Sequence, residues 1–153
     1  MPSPYEHTAI QSWSRHLANS YQHWRQQELV AVKDQALLAL SLFEAPYAIV
    51  SHGTQADPIF NYANRCALTL WEMDWDSFTQ LPSRLSAEPM HRQERTRMLS
   101  QLETQGFIDN YQGIRISSQG RRFYIKQAII WNVIDDTGHF IGQAATFQDW
   151  SFL

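Results

Sequence analysis

The sequence predicts an α+β domain with one five-stranded antiparallel sheet, inserted helices on one face and the N-terminal helices packing on the other. Two observations lead to this class. Only Gly53 lies before residue 100, and the other five of the six glycines follow it, so turns that need positive φ are concentrated in the last third. The apolar spacing changes at the same place, from three or four residues to two. A helical first part followed by hairpins is typical of α+β domains.

The elements follow in order. Apolar side chains at helical spacing predict helical structure over residues 6–27 and 29–44, as either one helix or two, and Pro46 suits a helix stop. Short β-branched runs then predict two strands, and capping residues predict further helices. After Gly106, alternation predicts three long strands, the last two joined by turn residues. These later elements are strands at 47–50 and 58–62, helices at 64–73 and 89–105 with a short helix and loop at 74–85 between them, and strands at 107–117, 121–134 and 140–150.

Composition limits the classes of function. The length fits a single domain over residues 1–153, with a helical extension at about 6–44 and a core at about 46–150. Twenty aromatic residues exclude a disordered chain. The net charge of −3 argues against a nucleic-acid partner, since phosphate binders usually carry a basic face. The one cysteine, Cys66, excludes an internal disulfide and a cysteine-based zinc site within the chain.

The chain shows no signal for a membrane or for secretion. No apolar run approaches the length of a membrane span, and the first residues lack a cationic segment followed by an apolar stretch. We therefore expect no membrane partner and a cytoplasmic location.

The last two predicted strands indicate a pocket. Alternation along 121–134 places Gln127 among apolar side chains running from Phe123 to Val133 on one face, and a glutamine there needs hydrogen-bond partners. On the last strand the side chains after Phe140 are small, and the space must be filled either by facing side chains or by a ligand. The predicted ligand-binding residues on these strands are Phe123, Ile125, Gln127, Ile129, Ala144 and Thr146.

Two cationic residues are placed near the mouth of that pocket. His91 and Arg95 share one face of the helix at 89–105. They either reach solvent at the helix edge or form a cationic lid, which would favour an anionic or polar ligand.

Two sequence features that could indicate a metal site or a catalytic site are explained by helix spacing and by turn formation. His16 and His23 lie about 10.5 Å apart along one helix, too far to share an ion bound at about 2.1 Å. The Asp-Thr-Gly triplet at 136–138 occurs once and suits a hairpin turn. We predict no catalytic residue, no metal site and no enzyme. The remaining enzymatic alternative makes His91 a general base, for which the sequence supplies no orienting partner.

Several segments resemble the MEKHLA domain family in its stand-alone form. Residues 16–24, HLANSYQHW, are similar to the family signature. The resemblance covers nearly the whole chain and implies a PAS-like fold. The family also forms the C-terminal domain of plant class III homeodomain–leucine-zipper transcription factors, whose DNA-binding parts have no counterpart here. The other similar segments are 44–54, 56–62, 81–89, 113–118 and 142–147.

The resemblance implies a sensory or signalling module. Such a module would bind a small ligand or a partner protein and shift a conformational or dimer equilibrium. The cofactor stays unknown: residues 64–67 read N-R-C-A in an earlier helix, unlike the flavin-adduct motif, and a haem ligand would fall near His91. The alternative is a structural homodimerisation module with a filled cavity. Its predicted interface residues are Trp13, Leu17, Trp24, Ile141 and Phe147.

Overall fold

The computed structural model describes residues 3–32, 34–88 and 92–153. Within these ranges one antiparallel sheet separates two helical layers. The helices are α1 Thr8–Arg25, α2 Leu38–Phe43, α3 Arg65–Trp71, α4 Trp75–Phe78 and α5 Arg92–Gln105. The strands are β1 Ala48–His52, β2 Phe60–Ala63, β3 Phe107–Ile116, β4 Arg122–Ile134, β5 Phe140–Phe147 and β6 Asp149–Phe152.

The sheet has six strands in the order β2-β1-β5-β4-β3, with β6 paired to β4. The predicted last strand is interrupted at Gln148, and both of its halves pair with β4. Thr146 lies opposite Ile129, and Asp149 lies opposite Lys126, so β6 continues the ladder that β5 begins. The α+β class and the antiparallel sheet are confirmed.

Each face of the sheet carries its own apolar layer. In the outer layer, α1 and α2 pack on the sheet through side chains such as Leu17 and Leu42, over Trp131 and Val133. In the inner layer, α3, α4 and α5 cover the opposite face, where Phe123 is buried. The predicted positions of the inserted and the N-terminal helices are therefore confirmed. None of the helices in the described ranges has the length and hydrophobicity that a membrane crossing requires.

The predicted helix over 29–44 is wrong in its first half. α1 ends where Gln26 adopts φ +56°, and helical structure returns only with the 3₁₀ turn at Gln35–Leu37 and with α2. Leu29 is buried in the outer layer from an irregular segment, and the Tyr47 hydroxyl donates to its carbonyl. The apolar residues at helical spacing do not form one buried face, since Leu29 is buried whereas Ala36 and Leu40 are exposed. The β-branched side chains of Val30 and Val32 also disfavour a helix here.

Two β-bulges set the side-chain directions of β4. Asn110 on β3 and Gln127 on β4 are the two bulge residues, with φ +59° and +53°. The β3–β4 register shifts on passing the first bulge and returns to its original value after the second. A one-residue bulge reverses the alternation of side chains along its strand.

The Gln127 bulge therefore divides β4 between the two layers. Phe123 and Ile125 lie in the inner layer before it, and Ala128 and Ile130 rejoin that layer after it. Trp131 lies in the outer layer. The expectation that residues from Phe123 to Val133 share one face is wrong, because unbroken alternation does not hold through the bulge.

The bulge gives a stability prediction. An L-residue in the left-handed region costs roughly 1–2 kcal/mol, and glycine avoids most of that cost. Gln127→Gly is expected to leave the free energy of unfolding unchanged or to raise it by up to about 1 kcal/mol. The matched control is Lys126→Gly at the exposed neighbouring position, which should lose about 0.5–1 kcal/mol. Urea unfolding of both variants is the measurement, and equal losses would contradict the bulge.

Candidate functional site

Aromatic side chains fill the space between the sheet and helices α3 and α4. The Trp71 ring centroid lies 5.8 Å from that of Phe78, 5.2 Å from that of Phe123 and 6.0 Å from that of Phe147. Phe78 also stacks on Phe60 at 4.2 Å. All five side chains are buried. Edge-to-face and stacked contacts at these separations stabilise an interior beyond the area they bury, so this region is packed core.

The residues predicted to bind a ligand do not meet in one pocket. Phe123 and Ile125 belong to the inner layer, whereas Ile129 and Ala144 lie in the outer layer on the other side of the sheet. Thr146 shares the strand face of Ala144 and donates to the Ala48 carbonyl at 2.9 Å. Gln127 is exposed at the bulge and Arg95 is exposed on α5, while His91 lies outside the described residues.

The small residues of β5 are covered by α1. A Cβ added at Gly142 would lie 3.1 Å from the Trp13 ring and 2.4 Å from the His52 carbonyl oxygen. Of the two alternatives for this face, larger side chains or a ligand, the structure places protein side chains over Gly142.

The residues predicted to form a dimer interface make contacts within the chain. Leu17 is fully buried between α1 and the sheet. The Trp13 indole donates to the Ser51 hydroxyl, and the Trp24 indole donates to the Asn132 carbonyl, each at 2.8 Å. The other two predicted interface residues also pack within the chain. Ile141 packs against the outer layer, and Phe147 is buried in the inner layer.

In the outer layer some buried polar groups form hydrogen bonds and others have no partner. The Ser20 hydroxyl donates to the Ile134 carbonyl at 3.1 Å and accepts from the Ile134 amide at 2.8 Å, which holds α1 on β4. Within the described ranges, four buried side-chain polar atoms lack a hydrogen-bond partner. All four belong to α1 or to sheet residues of the outer layer: His16 Nδ1, Arg25 Nε, the Tyr62 hydroxyl and Trp131 Nε1.

A polar row crosses the inner face of the sheet. His52, Gln143 and Asn132 are cross-strand partners on β1, β5 and β4. Gln143 donates to the Asn132 side chain at 3.3 Å, and Asn132 donates to the Leu102 carbonyl of α5 at 3.0 Å. Burial lowers the pKa of His52, while hydrogen bonds to the Gly53 carbonyl and to Gln143 act against it. Sequence reasoning missed this row, because its members become neighbours only through the strand register.

A groove of about 480 Å³ lies between helix α3 and strand β6. Its walls are the end of α2, helix α3, the β3–β4 turn and β6. Cys66 lines it, and partial burial raises the pKa of that thiol. An apolar floor and charged rim residues make it the candidate binding surface of the described chain.

The fold defines the class: an antiparallel sheet of this order, with helices inserted between β2 and β3, is a PAS-like domain. The PAS domain of a Colwellia psychrerythraea protein aligns with a TM-score of 0.61 and 18% identity, over 72% of this chain and 92% of that one. An RNA-binding light-oxygen-voltage receptor aligns with a TM-score of 0.63 and 17% identity, over 78% of this chain and 35% of that one. At such identities these likenesses concern the fold alone.

The chain belongs to the MEKHLA domain family, which matches residues 11–152. The predicted family is thereby confirmed. Over 92% of its length, this chain is 26% identical to the homeobox-leucine zipper protein HOX9 of Oryza sativa subsp. japonica. It is 24% identical over 99% of its length to the homeobox-leucine zipper protein REVOLUTA of Arabidopsis thaliana. The chain spans only 17% and 18% of the length of these relatives.

The aromatic interior gives a second stability prediction. Phe123→Ala removes a fully buried ring and should lower the free energy of unfolding by about 3–5 kcal/mol. Phe152→Ala removes a ring that is 45% exposed and should cost less than about 1 kcal/mol. Chemical denaturation of both variants measures the difference. A loss below about 1 kcal/mol for Phe123→Ala would show that this region is not a tightly packed core.

His52 gives a prediction about pH. Because its pKa is lower in the folded than in the unfolded chain, the unfolded chain binds the proton more readily as pH falls through the ordinary value of 6.5. The contribution to stability is present above that pH and declines below it. His52→Gln should therefore lose less stability than the wild type between about pH 7.5 and about pH 5.

The control for this comparison is His7→Gln, at an exposed position whose side chain makes no capping hydrogen bond. It should keep the wild-type pH dependence. If His52→Gln retains the same dependence as the wild type, the assignment to His52 is wrong.

Proposed function

We propose that this protein is a PAS-like, non-catalytic signalling module that acts through protein–protein contacts. In this proposal, α1 is a reversible cover on the outer face of the sheet, and its release exposes an apolar surface to a second copy of the chain. The module would work in the cytoplasm. His91 as a general base stays a prediction, since it lies outside the described residues.

One observation carries the proposal, and it is the polar chemistry beneath α1. A buried polar group without a partner costs about 1–3 kcal/mol, and such a group regains water when its layer opens. Of the four unpaired groups, those of His16 and Arg25 belong to α1 and that of Trp131 lies beneath Tyr21 of α1, so the docking of α1 is weakened relative to an apolar helix of the same area. The indole and hydroxyl contacts of Trp13, Trp24 and Ser20 nevertheless fix one docked position.

The packed interior supports a partner over an internal ligand. Trp71, Phe78 and Phe123 occupy the space between sheet and helices, so a ligand there would have to displace core side chains. Displacing a packed aromatic side chain costs several kcal/mol, roughly the amount lost when it is deleted. A cover that opens requires no such change in the core.

A matched pair of glycines tests the cover. A Cβ at Gly106 would lie 2.4 Å from the Trp24 ring, whereas a Cβ at Gly120 meets nothing within 4 Å. Their φ values are +81° and +79°, so alanine imposes the same backbone cost at both. Gly106→Ala should displace Trp24 and lower the hydrogen-exchange protection of α1 by about tenfold or more relative to Gly120→Ala.

The same two variants test what the exposed surface does. Sedimentation velocity over a range of concentrations should show Gly106→Ala associating into dimers at concentrations where Gly120→Ala does not. Equal protection of α1 in both variants would contradict a releasable cover. Loss of protection without any self-association would contradict the second copy as partner.

A further inference from the structure

The groove beside α3 is lined by residues from the N-terminal helical part of the chain and from the C-terminal strand β6. Glu44 at the end of α2 forms one rim, and Trp150 and Phe152 of β6 form an aromatic wall. That wall continues into the core, since Phe152 contacts Phe123 with ring centroids 6.3 Å apart. Leu70 completes an apolar floor. The volume of about 480 Å³ lies within the range of roughly 300–1,000 Å³ that small-molecule sites occupy.

The carboxylates around this groove already have partners. Glu44 accepts from Arg65 through both oxygens, at 2.7–3.0 Å, and this pairing lowers the pKa of Glu44. Glu72 accepts from the Ser117 hydroxyl at 2.6 Å. Neither carboxylate is therefore the group best placed to recruit a cationic ligand.

Arg65 is paired with Glu44, but three other hydrogen-bond donors of the groove have no acceptor within the described residues. The Arg121 guanidinium lies 3.4 Å from the centre of the Phe152 ring and has no carboxylate within 4.0 Å among the residues described. Over the same ranges, the Thr69 hydroxyl and the Trp150 indole nitrogen have no hydrogen-bond partner. Stacking on one face of a guanidinium leaves its N–H edge free for an anion.

We infer that this groove binds a small aromatic carboxylate. Its ring would lie on the wall of Trp150 and Phe152, and its carboxylate would accept from Arg121, with the Thr69 hydroxyl as a second donor. This combination of an apolar body and one anionic end matches the free donors and the apolar floor. The site goes beyond the proposed function, because binding here does not require α1 to be released.

A set of three probes of the same shape tests the charge preference. 2-Naphthoate is the acid, 2-naphthamide its neutral analogue and 2-naphthylmethylamine a cation. In ¹H–¹⁵N NMR titrations of the whole chain, the acid should bind about tenfold or more tightly than either analogue. The Trp150 indole signal, assigned with Trp150→Phe, should shift on binding.

Variants then assign the anchoring group. Arg121→Gln should weaken binding of 2-naphthoate by about tenfold or more, and Thr69→Val by a smaller factor. The control is Arg84→Gln, since Arg84 is paired with Asp57 at 3.1 Å and does not line the groove. It should leave binding unchanged.

Four results would overturn the site. These are absence of binding of 2-naphthoate at several millimolar, equal binding of the amine, full affinity in Arg121→Gln, or shifts confined to another surface. Arg121 is exposed, so its replacement leaves the core intact and the loss of binding interpretable. None of these results bears on the release of α1, which Gly106→Ala tests separately.

Discussion

The left-handed backbone of Gln127 is the constraint on which the two-layer structure depends. β4 is the longest strand and contributes side chains to both faces of the sheet. The bulge turns Ala128 and Ile130 inward and Trp131 and Val133 outward. Without it, Trp131 would follow Phe123 into the inner layer, and the outer layer would lose its largest sheet side chain. A second bulge at Asn110 restores the register with β3.

The two layers of the fold differ in chemistry. The inner layer around Trp71 is held by aromatic contacts and dispersion, which favour one dense arrangement. The outer layer combines apolar burial with specific hydrogen bonds from Trp13 and Trp24 and with unpaired buried groups. Hydrogen bonds fix the docked position of α1, and unpaired groups reduce its free energy of docking. A signalling element needs both properties, a defined resting position and a small free energy of release.

Much of the fold could be predicted from the sequence. The change in apolar period at Gly106 locates the hairpins, and the Asn64 side chain caps α3 as its sequence position suggests. The candidate site could not be predicted in the same way. Alternation fails at Gln127, a residue type that gives no warning of a positive φ, and the residues of the predicted pocket are therefore divided between the two faces of the sheet. Arg121 directly precedes β4, and the pairing of β4 with β6 brings it to the groove, which no local pattern contains.

The groove also has a physical route to the outer layer. A ligand shifts an equilibrium only through different affinities for its two states. Glu44 directly follows α2, which packs against α1, and its carboxylate is held by Arg65 of α3 at the groove rim. A release of α1 that also moved α2 would shift this rim and change the contacts available to an anion at Arg121. If the two events were linked through this rim, each would change the equilibrium of the other by the same free energy.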